Sequence, residues 1–363
     1  MKKATKIISF SSSKGGVGRT MTLTNCAKIY SEGRDWAGIE SSITLLVDFD
    51  FHAPGIHYYD FLSEDKSKQY QIFKSTFTSY KELQTELNQS KIGIAFLLSK
   101  ITNNSEYLKK CEQFIKLMET SPEKATADFQ TYVLKDLFIQ DDYNPLKHLI
   151  QIKSKSIFIL PAGSPNHHEY NDTIFKFDWL SFINKHMGLY LIDCVVYALV
   201  EHIKELPNFS VKPVRILLDQ QAGISVAAAI NRFLADAHVL VGGFNEQNKA
   251  GLKALVDGYF KAYKSEPWVV LNQYNLRSIP FDYTFDTSDK SPHDRFKKED
   301  EEQRVKFIKA LTHAHDSLHD KIFVTEFVSE AVQKEHFHSS EKTSINELIK
   351  LIVSVEQSFI DKI

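Results

Sequence analysis

Cysteine is scarce in this sequence, and its three copies are scattered. Cys26, Cys111 and Cys194 stand far apart in a chain of 363 residues. Their odd number and wide spacing argue against a disulfide framework and against a cysteine-based metal site. Free thiols are usual in reducing compartments, so we expect a cytoplasmic protein.

The sequence also lacks an excess of charge of either sign. It contains 44 lysine and arginine residues and 46 aspartate and glutamate residues, which gives a formal net charge of −2. No global basic field is therefore available for non-specific binding to nucleic acid. A local basic patch would still leave DNA binding open.

Long hydrophobic runs are absent as well. The apolar stretch within the first ten residues, MKKATKIISF, is too short for a signal peptide, and no stretch approaches the length of a membrane span. Hydrophobic residues make up 43% of the chain and charged residues 25%, which is ordinary for a globular protein with a large core. We expect residues 1–363 to form a single domain.

Short apolar runs bounded by turn residues alternate with longer helical patterns along most of the chain. This alternation is typical of a parallel sheet that helices cover on both faces. We therefore predict an α/β fold with a doubly wound, mostly parallel sheet. The predicted strands are Thr5–Phe10, Ile43–Phe49, Ser156–Leu160, Val214–Leu218, His238–Val241 and Trp268–Leu271, and the predicted helices between them include Thr20–Glu32, Ile224–Ala235 and Lys249–Tyr263.

Residues 60–155 interrupt this rhythm. They are rich in lysine, glutamine, serine and asparagine, and their apolar residues follow helical spacing, as at Tyr107, Cys111 and Met118. Pro122 separates two of the predicted helices, because proline is best tolerated at a helix start. We predict a helical insertion, which either packs on the core as an appendage or binds a partner protein.

The most informative segment is SSKGGVGRT, residues Ser12 to Thr20, which follows the first predicted strand. Its three glycines let consecutive backbone N–H groups face an anion without Cβ atoms in the way. The start of the next helix adds the positive end of its dipole, Arg19 adds a cation, and the Thr20 hydroxyl is placed to bind Mg²⁺. We predict a phosphate-binding loop. The alternative is a glycine-rich turn without a ligand.

Two carboxylates, Asp48 and Asp50, end the second predicted strand in the sequence LLVDFDFHAPG. Alternate residues of a strand share a face, so both side chains can point at the same ligand. In a phosphate site, one carboxylate would coordinate Mg²⁺ and the other would position an attacking water. The alternative is that Asp48 caps the turn while Asp50 is merely exposed.

A third strand end, in the sequence VRILLDQQAGIS, carries Asp219 followed by Gly223. We expect Asp219 to hold Mg²⁺ through water and the Gly223 amide to approach a terminal phosphate, so this loop is a candidate switch. Asp193 also follows apolar residues, but the apolar pattern continues past it without a turn. We therefore predict a helix around Asp193.

Four segments together, KGGVGRT, DFDFHAPG, LLDQQAGIS and LADAHVLVGGFNEQN, resemble the motifs of the ParA/MinD family of deviant Walker A ATPases. The chain looks most like the branch with arginine in the loop, the KGGVGR variant. The resemblance covers residues 1–58 and roughly 156–363. It implies a P-loop NTPase fold, ATP and Mg²⁺ as cofactors, and a homodimer that forms on ATP binding.

The resemblance also implies a role for each matching residue. Lys14 would reach across a nucleotide-sandwich dimer to the partner's phosphates, and Asp50 would orient the hydrolytic water. Asn272 would contact the base. Arg19 stands where the family commonly has lysine, which keeps the charge but changes the geometry, so we expect slow hydrolysis. The implied nucleotide-binding residues are Ser13, Lys14, Gly15, Gly16, Val17, Gly18, Arg19, Thr20, Met21, Gly223 and Asn272, and the implied Mg²⁺ residues are Thr20, Asp48 and Asp219.

The resemblance predicts a dimeric, Mg·ATP-dependent switch that hydrolyses ATP slowly. Such a switch would recruit or position partner proteins through its dimer surface or its helical insertion. Two alternatives stay open. One is a nucleotide-binding scaffold that hydrolyses little or no ATP and acts through the insertion. The other is a DNA-associated partitioning ATPase, whose binding to duplex DNA would depend on salt.

Overall fold

A computed structural model of the chain describes residues 5–33, 40–56, 69–152, 156–210, 212–223, 233–243, 246–263, 267–272, 306–307, 309, 311, 315 and 322–325. The chain divides into two compact units. The first unit is formed by residues 1–10 and 20–237, and the second by residues 11–19 and 238–363.

The sheet of the first unit is mostly parallel along its longer strands. In chain order the strands are β1 (Thr5–Ser11), β2 (Ile43–Phe49), β3 (Tyr70–Ile72), β4 (Ser75–Phe77), β5 (Ile150–Ile152), β6 (Ile157–Leu160) and β7 (Val214–Gln220). They lie side by side in the order β1-β7-β2-β6-β5-β3-β4. The pairs among β1, β7, β2 and β6 are parallel, whereas the pairs that involve β5, β3 and β4 are antiparallel.

The parallel strands are buried on both faces. Every residue of β2, β6 and β7 is buried. Strands of this kind need nearly continuous apolar runs, which is the pattern that the sequence contains. The register places Ile43 beside Val214 and Asp48 beside Asp219. The predicted doubly wound, mostly parallel α/β fold is confirmed.

Several helices of the first unit contribute to one buried apolar cluster together with β2, β6 and β7. One of them contains Asp193, as the continuing apolar pattern around that residue predicts. The described helices are α1 (Arg19–Glu32), α2 (Tyr80–Gln89), α3 (Ile94–Thr102), α4 (Ser105–Met118), α5 (Pro122–Tyr132), α6 (Tyr170–Lys176), α7 (Trp179–Lys185) and α8 (Gly188–Glu205). None of the described helices is by itself long and apolar enough to cross a membrane, whereas α7 and α8 meet that test as a pair bent by 86°.

The insertion predicted for residues 60–155 is described from residue 69 to residue 152. The segment with Tyr107, Cys111 and Met118 forms the helix α4, and Pro122 is the first residue of the next helix, α5. Tyr107, Cys111 and Phe129 are buried in its interior. The insertion also contains β3, β4 and β5, which the sequence did not predict, because strands of three residues are too short to show a period. Since β5 pairs with β6, the insertion extends the sheet.

The second unit combines parallel strands with one long helix. Its described elements are β8 (Ala237–Gly243), α9 (Glu246–Tyr263), β9 (Trp268–Asn272) and β10 (Ile322–Thr325). β9 pairs in parallel with both β8 and β10. Leu252 and Tyr259 of α9 belong to the same buried cluster as Val269 of β9. Most of the predicted helix Ile224–Ala235 lies outside the described residues.

A glycine lies at the junction where the insertion packs against the end of β6. Gly93 precedes α3 with a φ angle of 135°, and its N–H donates to His148 Nδ1 at 3.0 Å. Burial lowers the pKa of His148 to about 4, so its ring is neutral and able to accept this bond. The N–H of Ile94 donates to the carbonyl of Pro161, which follows β6, at 2.8 Å. A Cβ on Gly93 would lie 2.6 Å from the carbonyl oxygen of Ala162.

We expect Gly93→Ala to lower the free energy of unfolding by about 2 to 4 kcal/mol, because the new methyl group meets backbone in a strained conformation. Gly258→Ala is the matched control: Gly258 lies within α9, and an added Cβ there has no neighbour within 4 Å. That variant should be more stable by up to about 1 kcal/mol. Urea unfolding followed by circular dichroism measures both. Equal stabilities for the two variants would contradict this account of the junction.

Candidate functional site

Two glycines shape the loop between β1 and α1. Gly16 and Gly18 have φ angles of 76° and 81°, in the left-handed region that residues with a Cβ rarely adopt. Lys14, Gly15 and Gly16 are exposed at the tip of the loop. Val17 is only 2% exposed and anchors the loop. The tip therefore presents backbone and one lysine side chain to the outside.

The side chain of Arg19, at the end of this loop, forms a hydrogen bond back to the start of the loop. Its side chain is buried, and Arg19 Nη1 donates to Ser12 Oγ at 3.4 Å. Arg19 is also the first residue of α1, whose first turn contains no acidic side chain. The positive end of the helix dipole at this position favours an anion.

Helix α9 packs closely against the same loop within the second unit. A Cβ on Gly251 would lie 2.6 Å from the side chain of Ser13, so only glycine allows this approach. Ser11 Oγ and Tyr259 Oη form a hydrogen bond of 3.4 Å. This contact was not predicted from the sequence. A glycine inside a helical pattern is the signal that would have revealed it, because such glycines usually have a packing reason.

Asp48 shapes the turn that follows β2. Its carboxylate accepts hydrogen bonds from the backbone N–H groups of Asp50 at 2.9 Å, Gly55 at 3.1 Å and Ile56 at 3.3 Å. Asp50 Oδ1 accepts a bond from the N–H of Ala53 at 3.2 Å. Asp48 and Asp50 are both buried. Both carboxylates therefore belong to the interior of the turn, and Asp48 caps it.

Asp219 brings the start of α1 to these acids. It lies beside Asp48 in the pairing of β2 with β7, and it is fully buried. Thr20 Oγ1 donates to Asp219 Oδ2 at 2.6 Å. The structure thus brings Thr20, Asp48, Asp50 and Asp219 together in the first unit, at the carboxyl ends of β2 and β7.

Burial and its two neighbours in the acid cluster, Asp219 and Asp50, make ionisation of Asp48 unfavourable. Burial and then the nearby carboxylates of Asp219 and Asp50 raise the pKa of Asp48 well above its ordinary value. A bound cation would have the opposite effect on that pKa, because it stabilises the charged form. The cluster is therefore an environment that favours either a proton or a cation.

The donor atoms suit a hard cation such as Mg²⁺. Among the described residues, no group of three or more His, Cys, Asp or Glu side chains is arranged to hold a metal ion unaided. Mg²⁺ does not need such a group, because it usually keeps several waters and takes one or two carboxylates together with phosphate oxygens. The hydroxyl of Thr20 with the carboxylates of Asp219 and Asp48 fits that requirement.

The remaining predicted site residues lie in different elements. Gly223 follows β7 with a φ angle of 89°, a left-handed conformation that residues with a Cβ rarely adopt. Met21 lies in the first turn of α1. Asn272 is the last residue of β9, where it pairs with Gly243 and with Thr325. Gly223 and Met21 belong to the first unit, whereas Asn272 and the loop residues Ser13–Arg19 belong to the second.

The chain is similar to several solved structures. One is a plasmid partition protein from Borrelia burgdorferi B31 bound to AMPPNP, with 12% identity over 99% of both chains and a TM-score of 0.47. Others are the MinC:MinD cell division protein complex of Aquifex aeolicus (14% identity, 96% of both chains, TM-score 0.49) and the ATP complex of a variant of Cyanothece McdA (12% identity, 98% of this chain and 96% of that one, TM-score 0.49).

No family model matches the sequence, and no curated protein matches it. With identities of 12–14% and TM-scores below 0.5, these similarities add nothing to the assignment of individual residues. The fold assignment rests instead on the parallel register of β1, β7, β2 and β6 and on the loop that follows β1.

We expect the stability advantage of the wild type over Asp48→Asn to shrink by at least about 1 kcal/mol as pH rises from about 4.5 to 8 without metal. The pKa of Asp48 is raised in the folded state, so the folded protein keeps a proton that the unfolded chain releases above about pH 4. The stability that this proton contributes is lost as pH rises through the folded pKa. Urea unfolding at a series of pH values measures the difference.

Asp142→Asn is the control for this titration. Lys100 lowers the pKa of Asp142, which is exposed, so this carboxylate is ionised in both states across the same range. The difference between the wild type and Asp142→Asn should therefore not change with pH above about 4.5. A difference for Asp48→Asn that is equally flat would show that the acid cluster does not hold a proton in the free protein.

Proposed function

We propose that this chain is a Mg·ATP-dependent switch of the ParA/MinD type, which dimerises with ATP bound and resets by slow hydrolysis. The observation that carries the proposal is the 2.6 Å hydrogen bond from Thr20 Oγ1 to Asp219 Oδ2. It joins the residue that directly follows the phosphate loop to the buried acids of β2 and β7. The absence of disulfide spacing agrees with a cytoplasmic location.

The loop would bind the phosphates of ATP. The left-handed conformations of Gly16 and Gly18 shape the loop, and the start of α1 adds the positive end of its dipole, which favours an anion. Arg19 would turn from Ser12 toward phosphate oxygens, with which its guanidinium can form paired hydrogen bonds. Asn272, at the end of β9, would contact the base.

Asp48 and Asp219 would take part in metal binding, and Asp50 would take part in hydrolysis. Thr20 would bind Mg²⁺ through its hydroxyl, and Asp48 and Asp219 would hold it through water. When bound with ATP, Mg²⁺ offsets the negative charge of the phosphates. Asp50, fixed by its bond to the N–H of Ala53, would orient the attacking water, and Gly223 would contact the terminal phosphate.

Lys14 would complete the site of a second subunit. It is exposed at the tip of the loop, together with Gly15 and Gly16, so another molecule can reach it. An exposed lysine at the tip of a phosphate loop can reach the phosphates of a second nucleotide as a mobile point charge. Partner proteins would then distinguish the ATP-bound dimer from the free chain.

A second candidate function is a nucleotide-binding scaffold without hydrolysis. The burial of Arg19 and its bond to Ser12 favour it, because in this conformation the guanidinium closes the loop. Ile139, which is 72% exposed in the insertion, offers an apolar side chain to a partner. A sensitive phosphate-release assay distinguishes the two functions: the switch releases phosphate from ATP, and the scaffold does not.

We expect the wild type to elute with ATP at twice the mass of the 41.7 kDa chain, and Lys14→Ala to remain a monomer that still binds ATP. The physical reason is that each Lys14 serves the nucleotide of the other subunit, so its loss weakens the dimer while each subunit keeps the rest of its own phosphate loop. Light scattering coupled to gel filtration measures the mass. Lys124→Ala, which removes a positive charge from an exposed position on α5, is the control and should dimerise normally. Dimerisation of Lys14→Ala as strong as that of the wild type would refute the two-subunit site.

A further inference from the structure

The residue next to Asp50 is held by aromatic side chains from distant parts of the chain. Phe51 is 1% exposed, and its carbonyl oxygen accepts a hydrogen bond from Tyr170 Oη at 2.9 Å. Its ring lies 4.8 Å from the ring of Trp179 and 5.9 Å from the ring of Phe49, centroid to centroid. Tyr170 begins α6 and Trp179 begins α7, so both short helices hold the turn after β2.

Tyr170 is packed against residues at the junction between the insertion and the sheet. It is 1% exposed, and its ring lies so close to Gly163 that a Cβ there would be 2.4 Å away. The ring of Phe96, in α3 of the insertion, meets the ring of Tyr170 edge-on at 5.8 Å. A continuous set of contacts therefore runs from α3 through Tyr170 to Phe51.

These contacts fix the backbone on one side of Asp50. On the other side, the N–H of Asp50 donates to Asp48 Oδ1 at 2.9 Å. The carbonyl of Phe51 is buried, so loss of its donor would leave an unsatisfied acceptor that the turn can relieve only by moving. Movement of Phe51 would move Asp50, because the two residues share a peptide bond.

We propose that Tyr170 and Trp179 are positioning residues that hold Phe51 and thereby set the position of Asp50, which links the insertion to the acid cluster. The hydrolytic consequence rests on the function proposed above. Small misplacements of a group that orients a reactant cost large factors in rate. Tyr170→Phe should lower kcat for phosphate release about tenfold and leave KM for ATP within about twofold, because the phosphate loop is untouched.

Nuclear magnetic resonance of the full chain labelled with 5-fluorotryptophan reports on Phe51 without any need for activity. The chain contains three tryptophans, and Trp179→Phe identifies the signal of Trp179. Tyr107→Phe is the matched control, because Tyr107 is also fully buried and its Oη donates to a backbone carbonyl, that of His186, at 2.6 Å. Both variants lose one buried hydroxyl, but only Tyr170→Phe frees the carbonyl of Phe51.

The expected result is a shifted Trp179 signal and a lower kcat in Tyr170→Phe, with kcat unchanged and a smaller shift in Tyr107→Phe, whose lost bond reaches only the far end of α7. If Tyr170→Phe changes neither quantity, or changes them no more than Tyr107→Phe does, the proposal is overturned. If the wild type releases no phosphate, the proposed hydrolytic function has failed. The Trp179 signal alone then decides whether Tyr170 holds Phe51, since a shift supports this and no shift refutes it.

Discussion

The parallel pairing of β2 with β7 is the constraint on which the candidate site depends. It places Asp48 beside Asp219 between two strands that are buried along their whole length. Burial makes the charged form of Asp48 costly, repulsion from the carboxylate of Asp219 adds to that cost, and the pKa of Asp48 is therefore raised. A proton or a hard cation relieves that cost. The hydroxyl of Thr20, bonded to Asp219, supplies the neutral ligand that a Mg²⁺ ion would share with these acids.

Asp48 also stabilises the turn that holds the acid cluster in place. By accepting three backbone N–H groups, it folds the chain after β2 into a turn that contains Asp50. A hydrogen bond from Tyr170 and the ring of Trp179 then hold Phe51, and with it this turn, against α6 and α7, which pack beside the insertion. The acid cluster is thus supported from inside by hydrogen bonds and from outside by aromatic contacts. The loop between β1 and α1, by contrast, depends on the conformations of Gly16 and Gly18 and on its packing against α9.

Features with local signals could be predicted from the sequence. Long apolar runs that end in Asp48 or Asp219 identify buried parallel strands, and Pro122 identifies a helix start. Features that depend on contacts between distant residues could not. The three-residue strands β3, β4 and β5 show no period, and their pairing is set by tertiary packing. The bond from Tyr170 to Phe51 joins residues 119 positions apart, which no local pattern encodes. The division of labour among Thr20, Asp48, Asp50 and Asp219 stays a prediction.

In the function proposed above, Thr20 and the neighbouring acids make ATP binding dependent on Mg²⁺. Isothermal titration of ATP into the full chain, with Mg²⁺ and with EDTA, tests it most directly in the wild type, Thr20→Ser and Thr20→Ala. We expect Mg²⁺ to tighten ATP binding by at least about tenfold in the wild type and in Thr20→Ser, which keeps the hydroxyl, but not in Thr20→Ala. Equal ATP affinity with Mg²⁺ and with EDTA in the wild type, or an undiminished effect of Mg²⁺ in Thr20→Ala, would contradict it.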